Sequence, residues 1–270
     1  MTMRQEAPAS APVTAAQPFG GGEILMSEIF SAIQGEAAFV GHRQVFARLT
    51  GCNIRCAYCD QPEALEKKAG PCRVERHPGR RDWLALDSPL PVAEVAEHID
   101  RLWVALAHHS VSLTGGEPLM QSTRLALLVP LLKERGHRLM LETNGTLTAA
   151  LARVIEWIDY ISMDIKLTSV DGQLVDPDTQ RTFLAAATQK NVFVKIVLGP
   201  STSRLELADA VGMVHRVKSD VEVFLQPVSP FDAVREAPSA AQVLEWHELA
   251  LSLHDQVRVI PQTHKMIGQL

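Results

Sequence analysis

Three cysteines within eight residues are the most chemically loaded feature of the chain. They stand in Gly51-Cys52-Asn53-Ile54-Arg55-Cys56-Ala57-Tyr58-Cys59-Asp60, with gaps of three and two residues. Thiolates are soft ligands that suit iron–sulfur clusters or zinc. Gaps this short let one loop meet a cluster at successive corners. Three ligands on a four-iron cluster leave one iron open to a small molecule, whereas an electron-transfer cluster is capped by four cysteines. A structural zinc site would need a fourth ligand. Cys72, His77 and His42 could supply it, but none has a usual finger spacing. The expectation is therefore a [4Fe–4S] cluster on Cys52, Cys56 and Cys59, with Cys72 a structural thiol outside it.

The elements that must position this loop follow from the pattern around it. Short β-branched runs occur at 44–49, 111–114, 138–142, 160–165, 192–198 and 221–226. Segments with helical periodicity lie at 92–108, 123–135, 149–157, 179–188, 204–218 and 239–253. Pro130 is expected to kink the second helix, and Ser239 to cap the last. Six strand–helix pairs in alternation predict an α/β fold, a parallel sheet with helices outside it. Right-handed crossovers would curl it into a partial, TIM-like (β/α)6 barrel. Reactive groups in such barrels gather where strands end. The cysteines follow the first run; Thr114, Gly115, Gly116 and Glu117 follow the second; Thr143, Asn144 and Gly145 follow the third. Asp164 and Lys166 close the fourth, and Gln226 closes the sixth.

Residues 23–30 read as an extra N-terminal strand leading into Ser31-Ala32-Ile33-Gln34-Gly35-Glu36. Residues 1–22, rich in Ala, Pro and Gly, read as a disordered tail; residues 23–270 read as one domain. The stretch 60–90 reads as a long loop or lid. The net charge of −5 argues against a nucleic-acid-binding face. No apolar run is long enough to span a membrane, and no signal peptide is visible. A cytoplasmic setting is expected, where thiols stay reduced and clustered cysteines bind metal.

Cys-x3-Cys-x2-Cys, with an aromatic before the last cysteine, resembles the signature of the radical S-adenosylmethionine superfamily. Leu113-Thr114-Gly115-Gly116-Glu117-Pro118 resembles that superfamily's glycine-rich motif. The resemblance implies S-adenosylmethionine on the open iron, held by Tyr58, Cys59, Asp60, Gly116, Glu117, Glu142, Thr143, Asn144 and Lys166. Glycines 115 and 116 would let the backbone approach the ligand. Glu117 would accept from its ammonium, and Lys166 would pair with its carboxylate.

Four further segments narrow the resemblance: residues 28–36, residues 46–53, Leu225-Gln226-Pro227-Val228-Ser229-Pro230 and Val259-Ile260-Pro261-Gln262-Thr263-His264-Lys265. Together they resemble the 7-carboxy-7-deazaguanine synthase family of the deazapurine (queuosine) pathway. That likeness implies a radical lyase that contracts the ring of 6-carboxy-5,6,7,8-tetrahydropterin. Ile33, Gln34 and Gly35 would line the pterin; Gln34 offers both donor and acceptor. Arg48 would clamp its carboxylate with a planar fork, and Thr114 would also touch it. Gln262 and His264 would lie over the site. It further implies a flavodoxin- or ferredoxin-type reductant and a homodimer.

Relatives place Thr or Ser after Cys-Asp as a Mg2+ ligand; this chain has Gln61, whose carbonyl oxygen is a hard donor suited to the same ion. Asp164-Ile165-Lys166 also occurs in activases of glycyl-radical enzymes, a competing enzymatic assignment. A metal-stabilised binding module is the non-enzymatic alternative, with Lys67, Lys68, Arg73, Arg76, Arg80 and Arg81 as a partner patch. Glu63, Glu66, Glu75 and Asp82 intersperse those positives and favour a solvated lid.

Overall fold

Successive residues of a strand face opposite sides of its sheet, and here that alternation sorts the chemistry from the core. The computed structural model describes residues 22–230 and 234–269; the expected disordered tail, Gly22 apart, lies outside the described residues. The strands are β1 (Glu23–Ile24), β2 (Met26–Ile33), β3 (Arg43–Leu49), β4 (Gly70–Glu75), β5 (Trp83–Ser88), β6 (Leu90–Pro91), β7 (Ser110–Gly115), β8 (Leu139–Thr143), β9 (Tyr160–Ile165), β10 (Asn191–Leu198), β11 (Val223–Pro227) and β12 (Val257–Val259). The helices are α1 (Val92–Ala105), α2 (Ser122–Glu134), α3 (Thr148–Leu151), α4 (Thr168–Asp171), α5 (Pro177–Ala187), α6 (Arg204–Val217), α7 (Ala240–Leu251) and α8 (Thr263–Met266).

Ten strands form one open sheet in the order β12-β11-β10-β9-β8-β7-β3-β2-β4-β5. The six runs expected from the sequence are β3 and β7 to β11, and all are parallel. This is the partial barrel, with β12 added parallel to β11 and β2 antiparallel to β3. On the outer face Val45, Ala47, Val111, Leu113, Leu139, Leu141, Ile161, Met163, Val194 and Ile196 pack into the main core. The helices cover that face through stripes such as Val92, Val95, Ala96, Ile99 and Leu102 of α1. Ser239 caps α7 in a capping box with Gln242. Pro130 lies inside α2, which continues through it to Glu134.

Two expectations need correction. Residues 60–90 are not simply a loop: β4 and β5 form an antiparallel hairpin, and β4 joins the sheet beside β2. Buried Cys72 and Val74 alternate there with exposed Pro71 and Arg73, a strand period masked by Pro- and Gly-rich composition. The helix expected over 149–157 is a single turn, α3, followed by a short 3-10 segment at Ile155–Trp157. Asp159 N–H donates to the Leu139 carbonyl at 3.0 Å, which draws the chain into β9 and ends the helix early.

The inner face carries the other set of side chains. At one end Met140, Phe193 and Phe224 form an apolar plug, packed by Phe39 and Tyr160. Toward the carboxyl ends the same strands turn polar groups inward: Arg48, Thr114, Glu142, Asp164, Lys166, Lys195 and Gln226.

Candidate active site

The interior of the barrel opens into a cavity of about 210 Å³. Cys52, Cys56 and Cys59 line it, on the loop that leaves β3. Backbone bonds tie that loop down: Gly51 N–H donates to Ala64 (2.8 Å), Cys52 to Leu65 (2.9 Å) and Ala57 to Asp171 (3.0 Å). A side-chain bracket adds to them. Asn144 donates to Asn53 at 2.9 Å, and Asn53 donates to Thr146 at 2.9 Å. All three thiols are free and half-buried. Burial pushes their pKa values up, Cys56 to about 12 with help from Asp171.

The alternative fourth ligands are elsewhere. Cys72 is fully buried in the main core. His42 packs against His109, tilted by 40° with ring centroids 4.5 Å apart, and His77 pairs with Asp82 at 2.6 Å. No three His, Cys, Asp or Glu side chains among the described residues gather closely enough for a single ion. A four-iron cluster takes its thiolates at separate corners, and three free cysteines on one cavity wall fit that demand.

The glycine motif lines the cavity and also packs two loops together. Gly115 has φ +132°, and a Cβ there would strike the Leu49 carbonyl; one on Gly116 would strike the Gly51 carbonyl. The glycines let the second strand's loop nest against the cysteine loop itself. Glu117, by contrast, does not line the cavity. It is fully buried and accepts from Leu119 N–H (3.0 Å), Thr143 Oγ1 (3.0 Å) and Asn144 N–H (2.7 Å). Burial lifts its pKa to about 7 against those bonds. It thereby fixes the loop that presents Thr143 and Asn144.

Every other expected site residue lies on this cavity: Ile33, Gln34, Gly35, Arg48, Tyr58, Asp60, Gln61, Thr114, Gly116, Glu142, Thr143, Asn144 and Lys166. Arg48 is buried; its Nε donates to Glu28 at 2.9 Å, and Glu28 is also paired with Arg73. Glu142, expected beside S-adenosylmethionine, accepts from Gln34 (3.0 Å), Ser112 (2.7 Å) and Thr114 (3.1 Å). Lys166 bonds Asp164 at 2.8 Å and the Tyr58 hydroxyl at 3.2 Å. Burial disfavours its charge, but Asp164 and Tyr58 more than compensate and hold it protonated.

Sequence reasoning left three wall residues without roles or unnoticed: Glu36, Asp164 and Lys195. Lys195 bridges Glu36 at 2.5 Å and Asp164 at 3.1 Å. The signal was present, since Lys195 breaks an apolar run just as Arg48 does. Gln262 and His264 reach the cavity on the C-terminal segment. Thr263 N–H donates to the Gly35 carbonyl at 2.9 Å, and a side chain on Gly35 would collide with His264.

A family model described as the Radical SAM superfamily matches residues 48–209. The chain is 42% identical over 249 residues to a 7-carboxy-7-deazaguanine synthase of Geobacter sulfurreducens, covering 91% of this chain and 97% of that one. It belongs to the 7-carboxy-7-deazaguanine synthase family, within the radical SAM superfamily. A synthase of the same name from Methanothermobacter thermautotrophicus is 32% identical, with 89% and 96% covered. The crystal structure of QueE from Escherichia coli shares the fold, with TM-score 0.56 and 22% identity over 89% of this chain and 94% of that one.

Proposed function

We propose that the protein converts 6-carboxy-5,6,7,8-tetrahydropterin to 7-carboxy-7-deazaguanine with loss of ammonia. The observation that carries this reading is one cavity holding the three cysteines together with Arg48, Gln34 and Thr114. A cavity of that size suits a small heterocycle rather than a partner protein's loop, which counts against an activase.

When bound, a [4Fe–4S] cluster and S-adenosylmethionine supply a hydrogen-abstracting carbon radical. The cysteine loop would hold the cluster, with Tyr58, Asp60, Gly116, Thr143, Asn144 and Lys166 around S-adenosylmethionine. Arg48 lines the cavity and uses Nε on Glu28, which leaves its terminal nitrogens as the fork for a carboxylate. Gln34 and Thr114, joined through Glu142, give a polar wall for the ring. Gln61 suits Mg2+: its Oε1 is buried without a hydrogen-bond partner, on a residue lining the cavity, and Mg2+ prefers hard oxygen donors. The reading includes a flavodoxin- or ferredoxin-type reductant, a homodimer and a cytoplasmic setting. No helix among the described residues is long and apolar enough to cross a membrane.

Anaerobic reconstitution should give a brown protein whose EPR spectrum changes on adding S-adenosylmethionine. The reduced enzyme should turn the pterin over to a product of the deazaguanine's mass. Formation of 5′-deoxyadenosine that ignores the pterin would sink the assignment.

A further inference from the structure

The cavity is walled by an open sheet whose two ends are β12 and β5. The chain beyond β12 runs from one of those ends toward the other. Ile260 N–H still donates to the Leu225 carbonyl of β11, at 3.0 Å. Thr263 N–H then donates to the Gly35 carbonyl (2.9 Å), and Lys265 pairs with Asp60 beside the last cysteine (3.0 Å). At the far side, Arg81 in the turn between β4 and β5 donates through its guanidinium to the Gly268 carbonyl at 2.9 Å. Residues 260–268 therefore form a strap across the open side of the barrel, and its Gln262 and His264 line the cavity.

Past Ile260 the strap buries little apolar surface. Met266 and Ile267 are 76% and 56% exposed, and α8 is a single turn. Segments with few buried apolar contacts open most easily, so each polar fastening counts.

The fastening at Arg81 is made against the local backbone preference. Arg81 has φ +55°, a left-handed conformation that glycine adopts freely and a branched or long side chain resists. Its N–H donates to Glu75 Oε1 at 2.8 Å, and Glu75, 1% exposed, also accepts from Ser31 N–H through Oε2 at 2.9 Å. A buried carboxylate bonded to β2 thus holds the strained residue in place. A turn that needed only to reverse the chain could carry glycine here, as it does at Gly79 with φ +74°. Strain of this kind persists where its surroundings over-determine it, and it concentrates at functional positions. What arginine adds over glycine is the guanidinium on Gly268.

We propose that Arg81 is a positioning residue that fastens the C-terminal strap across the open side of the barrel, and thereby sets how long the cavity retains its ligand. It acts through the strap's Gln262 and His264, not by contact with a reacting group. Naming the retained ligand as the pterin rests on the functional reading above.

The test uses cluster-loaded, S-adenosylmethionine-bound full-length enzyme without reductant. Hydrogen exchange read by mass spectrometry, with no pterin present, follows the amides of residues 263–269. They should exchange about tenfold faster in Arg81→Gly, the worth of one charge-assisted hydrogen bond near the surface. Arg81→Asn, which also tolerates this backbone, should match Arg81→Gly, and Arg81→Lys should recover most of the protection. Stopped-flow binding of the carboxytetrahydropterin should then show dissociation several-fold faster in Arg81→Gly, with association little changed. Arg76→Gln removes a positive charge from the same turn and should leave both rates alone. Association slowed equally in Arg76→Gln and Arg81→Gly would make the turn an electrostatic guide instead and overturn the inference. Wild-type exchange in both Arg81→Gly and Arg81→Asn, or faster exchange with wild-type dissociation, overturns it as well. Wild type that does not bind the pterin overturns the functional reading, and the exchange comparison then decides the fastening by itself.

Discussion

Glu28→Gln tests how Arg48 is held. Glu28 and Arg48 have side chains only 7% and 9% exposed and meet at 2.9 Å. At an effective dielectric near 20, two unit charges at that separation attract by about 6 kcal/mol before desolvation. Removing one member of a buried pair leaves the other charge stranded, which costs about 3–5 kcal/mol. Arg73 also pairs with Glu28 and is half-exposed, so water shares part of the load and the lower figure applies. For a chain of this size about 3 kcal/mol corresponds to a fall in melting temperature of roughly 6–12 °C. The geometry adds a functional consequence. Arg48 also lies over the Phe30 ring at 5.6 Å, and without Glu28 that contact alone must fix its fork. The KM for the pterin should rise by about tenfold, the worth of roughly one charged hydrogen bond, while the S-adenosylmethionine-induced EPR change persists. Arg73→Gln, at the exposed end, should cost less than about 1 kcal/mol. Thermal melts of the reduced protein and steady-state kinetics make the measurement. A Glu28→Gln protein that melts within about 2 °C of wild type and keeps its KM would refute the reasoning.

Gly115→Ala should block cluster assembly, because the new Cβ meets the Leu49 carbonyl at a positive φ; iron content at the wild-type level after reconstitution would contradict this. Asn53→Ala removes the link between the cysteine loop and Asn144, so iron should pass to a chelator several-fold faster than from wild type, and an unchanged rate would show the bracket to be idle. Burial raises Glu117 from 4.5 to about 7. Its stabilising contribution is therefore complete below pH 4.5 and is lost as pH rises through 7, by up to roughly 3 kcal/mol. Glu117→Gln should flatten urea-melt stability across that window, and a slope identical to wild type would count against the shift. Gln61→Ala should abolish stimulation by Mg2+ while leaving the cluster's visible spectrum in place; retained stimulation would remove Gln61 from the metal site.

Much of the architecture was legible because its signals are local. Six β-branched runs and all but one of the expected helices reappear in the parallel barrel, and Ser239 caps α7 as expected. Where the reading failed, distant contacts overrode local composition. The hairpin of β4 and β5 owes its order to pairing with β2, 45 residues from Arg73 back to Glu28, and its Pro and Gly residues disguised the alternation. The helix before β9 was cut short by a bond to Leu139, which no local pattern announces.

The division is sharpest at the site. The cysteine spacing, the glycine pair and Arg48 beside them were determined by sequence alone, because ligand chemistry depends on residue type and short separations. The direction in which each side chain points was decided only by the fold. Glu117 reads as a ligand residue, yet burial behind Thr143 and Asn144 makes it a brace. Lys195 reads as one lysine in an apolar run, yet strand register sets it against Asp164 and brings Glu36 to it across 159 residues. Electrostatic pairing in a low-dielectric interior depends on distance through space, and the sequence specifies distance only along the chain.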